Sequence, residues 1–233
     1  MVPSTPRSYH RPVLASHEIF ERQAGGENPA AQHEAAYASA RVLLARGRAN
    51  TDPQVAQRLV DFTDEYGLET LALMWASAPA QSLPGALWRM YSLRDAVHRD
   101  APAVSRAFAK GLEDDYRSHV LAGVPDPPSA WEVVATADSI LAGVYEGEVD
   151  IALERFAAFA RVVALGLRAE YAAGDIARAA GVHVPLAPSH EVRREGVNRM
   201  LSIPERVRRL RQIAEDLEAV ALLWRQHGGL EGF

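Results

Sequence analysis

The amino-acid sequence predicts an all-α fold, an irregular multi-helix bundle built as a single domain. Signals for helix starts recur along the chain, and the apolar residues between them recur at intervals of three or four. No segment shows the sustained alternation of apolar and polar residues that is typical of a half-buried β-strand. With 233 residues, 48% of them hydrophobic, the chain is long enough to bury a complete core.

Capping residues locate the helices along the chain. Ser129 is followed three residues later by Glu132, and Ser202 by Glu205, which is the spacing of a capping box. Asn28 precedes a proline, as is typical of an N-cap before the first helical turn. Together with the apolar spacing, these signals predict helices over residues 13–23, 29–46, 53–66, 68–77, 83–98, 101–121, 130–145, 149–173, 190–200 and 204–227.

The helix predicted over residues 149–173 is the expected centre of the bundle, because its sequence is apolar on nearly every face. Two prolines follow shortly after it, which indicates a linker. The expected organisation is a disordered N-terminal arm at 1–12, a helical core at 13–180, a linker at 181–189, and C-terminal helices at 190–233 that pack on the core or on a partner.

Composition excludes several classes of protein. The chain contains no cysteine, which excludes disulfides, thiolate catalysis, cysteine-ligated zinc sites and iron–sulfur clusters. The net charge of −5 disfavours a general nucleic-acid binder. The N-terminus lacks an apolar leader, and the longest uncharged run, residues 70–88, is interrupted by Pro79 and Pro84. These features predict a cytoplasmic protein without membrane contact.

Motifs that would identify an enzyme are not found in the sequence. It has no glycine-rich phosphate loop, no G-x-S-x-G elbow, no H-E-x-x-H and no paired E-x-x-H. We therefore expect no metal and no cofactor, while the sequence leaves open whether the protein is an enzyme.

Polar residues on apolar helix faces form a candidate pocket. Asp115 and His119 lie four residues apart on one predicted helix, Arg94 and His98 lie four apart on another, and His33 shares the apolar face of a third. Such groups could form an acid–base pair or a ligand site. The opposing interpretation is that they reach solvent near helix ends. In a helical hairpin the first two pairs would lie roughly 13–20 Å apart along the axis, which argues against one shared site.

The last predicted helix carries a candidate interface. Its apolar residues follow the alternating three-and-four spacing of a coiled-coil seam, although over too short a stretch to establish a coiled coil. This seam either packs on the chain's own core or pairs with a second copy or another protein, so a homodimer through residues 204–227 is possible. The seam includes Val207, Leu210, Leu217 and Trp224.

Arginines near the same helix form a candidate anion contact. Cations at a helix N-terminus oppose the helix dipole, which suggests that phosphate, an acidic partner or acidic residues of the chain's own core stabilise them. Because these arginines spread around the helix and no aromatic residue lies between them, nucleic acid is an unlikely partner. The candidates are Arg193, Arg194, Arg208 and Arg211.

Three stretches of sequence, at residues 7–13, 24–29 and 82–91, resemble a group of small, uncharacterised actinobacterial helical proteins. Some members of that group carry the label of an RNA polymerase β subunit. The resemblance covers about the first two-thirds of the chain and implies a helical fold. A helical chain of this size cannot hold a polymerase core, so it implies at most an accessory role near transcription.

Taken together, these features favour a non-enzymatic interaction or regulatory protein. The first alternative is a small-ligand-binding protein or metal-dependent enzyme with a helical pocket. The second is a transcription-associated accessory protein that contacts nucleic acid through the C-terminal arginines.

Overall fold

The computed structural model of the chain describes residues 29–49, 52–112, 116–126, 128–179 and 202–229. These residues form ten α-helices and no strand, so the prediction of an all-α bundle is confirmed. The arm at 1–12, the predicted helices 13–23 and 190–200, and the linker at 181–189 lie outside the described residues. The helices are α1 (Pro29–Arg48), α2 (Pro53–Val60), α3 (Phe62–Tyr66), α4 (Leu68–Trp75), α5 (Leu83–Arg99), α6 (Ala101–Gly111), α7 (Tyr116–Ala122), α8 (Ala130–Glu146), α9 (Val149–Ala179) and α10 (Ile203–Gln226).

Local capping bonds explain why several helices begin where the sequence predicts. At the start of α8 the Glu132 amide donates to Ser129 Oγ, and the Ser129 amide donates to Glu132 Oε2 at 2.7 Å, which completes the capping box. The Ser202 amide likewise donates to Glu205 Oε2 at 2.8 Å before α10. The Asp52 carboxylate accepts from a backbone amide of α2. Each bond satisfies an amide that has no partner within its helix.

Two long predicted helices are each divided into two in the structure. The segment predicted as one helix over 53–66 is interrupted at the single residue Asp61, which separates α2 from α3. Asp61 and Asp64, three residues apart, both face Arg94 on α5, at 3.6 Å and 2.8 Å. The segment predicted as one helix over 101–121 ends at Gly111 and continues as α7 from Tyr116.

Helix α9 lies at the centre of the bundle, as the sequence predicts, and it extends to Ala179. Its residues from Ala152 to Leu167 are buried on most faces, where it packs against α6, α7, α8 and α10. Its most extensive contact is with α10, which runs antiparallel to it. Ion pairs along this contact join Arg161 to Glu218 and Arg225 to Glu154.

The contact between α6 and α9 depends on two glycines. A Cβ atom at Gly166 would collide with the backbone carbonyl of Ala107, and one at Gly111 would collide with the carbonyl of Val162. The backbones of the two helices therefore approach more closely than any larger residue allows. This close approach fixes α6, and with it the end of α5, against the central helix.

A second group of helices, α1, α4, α5 and α8, packs together around another part of the core. This part includes Leu44, Trp75, Met90 and Tyr145, all of them fully buried. The Trp75 indole donates to Ser39 Oγ at 3.0 Å and so ties α4 to α1. These contacts hold the helices that surround the groove described below.

Among the described residues, no helix is both long enough and apolar enough to span a bilayer.

Candidate functional site

An apolar groove of about 240 Å3 opens where α1, α2, α3, α4 and α5 meet. Its floor is buried, whereas Val42 at its mouth is 55% exposed. Two polar residues, Ser39 and Tyr91, also line it. The apolar lining consists of Val42, Leu43, Leu59, Phe62, Leu71 and Met74.

The polar atoms of the groove are already bonded within the protein. Ser39 Oγ donates to the carbonyl of Ala36 and accepts from the Trp75 indole. The Tyr91 hydroxyl is shared between the Leu59 carbonyl and the hydroxyl of Tyr145, 2.6 Å away. Burial raises the pKa of both phenols above the ordinary value of 10.0, so they stay protonated at neutral pH. Among the described residues, the groove therefore offers apolar surface and no free acid, base or nucleophile.

Small apolar residues form an exposed stripe on α1 that leads into this groove. The stripe faces away from the core, because the buried residues Ala36, Ala40 and Leu44 lie on the opposite face of the helix. Its members alternate at intervals of four and three, the spacing of a seam between two packed helices. The stripe consists of Ala31, Ala35, Ala38, Val42 and Ala45, all of them exposed.

Arg94, on α5, holds one wall of the groove in place. Its side chain is 1% exposed, and its two terminal nitrogens donate to Asp64 on α3 at 2.9 and 2.8 Å. Its Nε donates to Asp138 Oδ1 on α8 at 2.6 Å. The short α3, which contributes Phe62 to the groove, is thereby attached to α5 and α8 by paired charges.

The Arg94 pairing also affects the acidity of Asp64. The hydrogen bond from Arg94 holds the pKa of the Asp64 carboxyl below its usual value of 3.8, although partial burial opposes the effect. Since the pKa is lowered in the folded state, this pairing stabilises the fold at neutral pH. Its contribution is lost as the pH falls through the lowered pKa.

The structure brings together two of the five predicted pocket residues. His98 Nε2 lies 2.8 Å from Asp138 Oδ1, the same oxygen that accepts from Arg94. The pair therefore meets through Asp138, a residue that the sequence did not indicate. Neither side chain lines the groove. Asp115 and the side chain of His119 lie outside the described residues.

His33 does not line the groove. His33 lies on the same side of α1 as Ala40 and Leu44, as the spacing predicts, but its side chain is exposed. Its side chain is exposed because His33 lies near the start of α1, and the buried face of this helix begins only at Ala36.

The predicted interface residues of α10 fall into two groups. Leu217 and Trp224 are buried in the chain's own core, whereas Val207 and Leu210 are half-buried nearer the start of the helix.

Of the predicted anion contacts, Arg208 and Arg211 are exposed on α10, and Arg193 and Arg194 lie outside the described residues. Within the described ranges, no group of three or more histidine, aspartate or glutamate side chains is placed to hold a metal ion.

Comparison of the chain with protein-family models, with curated proteins and with solved structures finds no match.

Proposed function

We propose that this chain is a non-enzymatic interaction protein that binds an amphipathic helix of a partner protein. The apolar groove receives a large apolar side chain of that helix. The observation that carries the proposal is the lining of the groove, which is apolar and whose polar atoms are already bonded inside the protein. Covering such an apolar surface lowers the free energy, and its described residues include no group placed to perform chemistry.

The size of the groove supports a side chain as its occupant. Its volume of about 240 Å3 is below the range of roughly 300–1,000 Å3 that is usual for small-molecule and cofactor sites. Buried apolar pockets of this kind typically receive the anchor residue of a protein partner. Met74 in the lining adds adaptability, because its unbranched side chain adjusts to the shape of what it contacts.

The stripe on α1 supports a helix as the element that carries this side chain. Alanines let the backbones of two helices approach closely, and the four-and-three spacing matches the faces of two packed helices. Since Val42 belongs both to the stripe and to the groove, a helix that lies along the stripe brings its side chains to the mouth of the groove. This is the helix-in-groove mode of recognition.

The enzymatic alternative has less support from the same residues. Arg94 and His98 both bond to Asp138, and the groove is lined by neither of them. Their arrangement serves to connect α3, α5 and α8.

The proposal is tested by photo-cross-linking with the full chain in extracts of its host. Benzoylphenylalanine replaces Val42 at the mouth of the groove or, as the control, Leu73, which is 89% exposed on the opposite face of α4 from Leu71. We expect a partner segment to be cross-linked at position 42 and not at position 73. A synthetic peptide of that segment should gain helix content on binding the purified chain.

Substitution provides the second half of the test. Val42→Asp should weaken binding of the peptide about tenfold or more, because it places a charge at the mouth of an apolar site, whereas Leu73→Asp should leave the affinity unchanged. Equal cross-linking at both positions, or equal affinity of both variants, would contradict the proposal. So would a cross-link from position 42 to residues 1–28 of the same molecule, because the groove would then have an internal occupant.

A further inference from the structure

The charge beside the exposed stripe of α1 changes sign along the helix. Glu34 lies next to Ala35, near the start of the stripe. Arg41 and Arg46 lie on either side of Val42, the stripe residue at the mouth of the groove. Glu34 and Arg41 are seven residues apart, so they share one flank of the stripe and are separated by roughly 10 Å along the axis. Arg46 follows Val42 by one turn, on the other flank. The stripe therefore has a negative end and a positive end.

These three charges have no partner among the described residues. Each of the side chains is exposed, and none of them forms an ion pair within the described ranges. The neighbouring Arg48 is different, because it donates to the Gly147 carbonyl at 3.2 Å and lies over the ring of Trp224. Arg48 thus connects α1 to α8 and α10, whereas the other three charges are available to a second molecule.

From this pattern we infer that the helix bound at the groove is itself divided in charge and runs antiparallel to α1. Carboxylates beside its apolar anchor residue pair with Arg41 and Arg46, and a cation about two turns further along pairs with Glu34. The inference rests on the proposed function, because it concerns the helix that the groove receives. It adds the charge pattern and the direction of that helix.

The direction follows from the stability of the partner helix. Its anchor residue lies beside Val42, at the positive end of the stripe, so its carboxylates lie there too. In the antiparallel arrangement this end is the N-terminal part of the partner, and its cation lies nearer its C-terminus. Negative charge near the N-terminus and positive charge near the C-terminus stabilise a helix through its dipole. A parallel partner would need the reverse order, which weakens the helix before it binds.

The ion pairs determine direction and partner choice more than affinity. A guanidinium group can bond a carboxylate through two parallel hydrogen bonds, and a bound helix shields these bonds from water on the side of the apolar groove. A helix bound in the opposite direction brings its cation to Arg41 and Arg46 and its carboxylates to Glu34. Like charges then face each other, so this complex is disfavoured.

The test compares two synthetic peptides of identical composition by fluorescence anisotropy with the full chain. Both have an alanine-rich apolar face and a phenylalanine anchor near the N-terminus. In the first peptide two glutamates flank the anchor and two lysines follow two turns later, whereas in the second the glutamates and lysines exchange places. We expect the first peptide to bind about fivefold more tightly. The difference should shrink as ionic strength rises, because exposed charges are screened.

A charge-reversed variant separates recognition from the helix content of the free peptides, which also differs between the two sequences. Glu34→Arg with Arg41→Glu and Arg46→Glu reverses the charge on both ends of the stripe. The ratio of the two affinities should then change about tenfold in favour of the second peptide, because three attractive pairs become repulsive and three repulsive pairs become attractive.

A matched control makes the same change of net charge on α10. Arg208→Glu with Arg211→Glu and Glu215→Arg alters three exposed residues that do not line the groove between α1 and α5. This variant should keep the ratio of affinities that the unsubstituted chain shows. An equal change of the ratio in both variants would overturn the inference, because it would show attraction by net charge alone.

Three further results would overturn the inference. If the charge-reversed variant keeps the original ratio while Val42→Asp abolishes binding of both peptides, the proposed function stands and the charge pattern has no role. If neither peptide binds the unsubstituted chain at low ionic strength, the proposed function is contradicted as well. If the purified chain associates with itself and Val42→Asp abolishes that association, the stripe belongs to a second copy of the chain.

Discussion

At the scale of single residues, the main feature is a charge placed where water does not reach. The Arg94 side chain is almost completely buried, whereas its partner Asp64 is 55% exposed. The two ends of this ion pair are therefore not equivalent. If the arginine is removed, Asp64 and Asp138 regain contact with water. If the carboxylates of Asp64 and Asp138 are removed, the buried cation keeps only Asp61, 3.6 Å away, and the Thr63 hydroxyl, which is the more costly outcome.

This asymmetry leads to a prediction about stability. Arg94→Met, which fills the same space without a charge, should lower the free energy of unfolding by about 1–2 kcal/mol, whereas Asp64→Asn with Asp138→Asn should lower it by about 3–5 kcal/mol. Urea denaturation at neutral pH measures both values. As a control, Arg99→Met removes an exposed i,i+4 pair with Asp95 and should cost less than about 1 kcal/mol. A larger loss for Arg94→Met than for the double variant would refute this view.

At the scale of helices, the sequence predicts a helix boundary best where residues close in sequence determine that boundary. The starts of α8 and α10 follow from capping residues three positions apart, and both are correct. The pairing of Asp64 with Arg94 was missed because the two residues lie on different helices and are distant in sequence. The position of Arg94 on an apolar face was visible from helical spacing, but its partner Asp138 lies on another helix.

The groove could not be predicted for the same reason. Each of its lining residues looks like an ordinary core residue in its own helix, and the space exists only because five helices leave it between them. The stripe on α1 was within reach of sequence reasoning, since its spacing is regular. Its alanines, however, carry too weak a hydrophobic signal to distinguish an outer face from an inner one.

Helix packing gives a second prediction, at Gly166 on α9. Gly166→Ala should lower the free energy of unfolding by about 3 kcal/mol or more, because the new methyl group meets the backbone of α6 and one of the helices must shift. Gly174→Ala on the same helix has open space around it and should raise stability by about 0.5–1 kcal/mol. Thermal and urea denaturation of both variants provides the comparison. Similar effects at the two positions would mean that α6 and α9 are less closely packed than described.

At the scale of the whole molecule, α10 completes the core although it is distant in sequence from most of it. Its second half lies against α9, and the Arg89 side chain of α5 donates to the buried Asp216 at 3.0 Å. The sequence left open whether the seam of α10 packs on the core or on a partner. In its second half the seam faces the core, and only the first half is left partly exposed.

The third prediction distinguishes these roles along α10. Leu217→Asp should abolish cooperative folding, because it buries a carboxylate among fully enclosed apolar residues. Leu222→Asp, at a position 55% exposed on the same helix, should change the free energy of unfolding by less than about 0.5 kcal/mol. Circular dichroism and size-exclusion chromatography report the fold and the mass of each variant. A folded Leu217→Asp variant with altered mass would instead place this residue in an interface between molecules.

The dependence of α9 on α10 affects how the chain is made. Ribosomes add about 5–20 residues per second, so several seconds pass between the synthesis of α9 and that of the helix that covers it. During that interval the central helix of the nascent chain has an uncovered apolar flank, which is the kind of surface that chaperones bind and that aggregates form from. The final packing of the central helix therefore takes place only after residues 214–224 have left the exit tunnel, and the yield of native protein depends on how well α9 is protected until then.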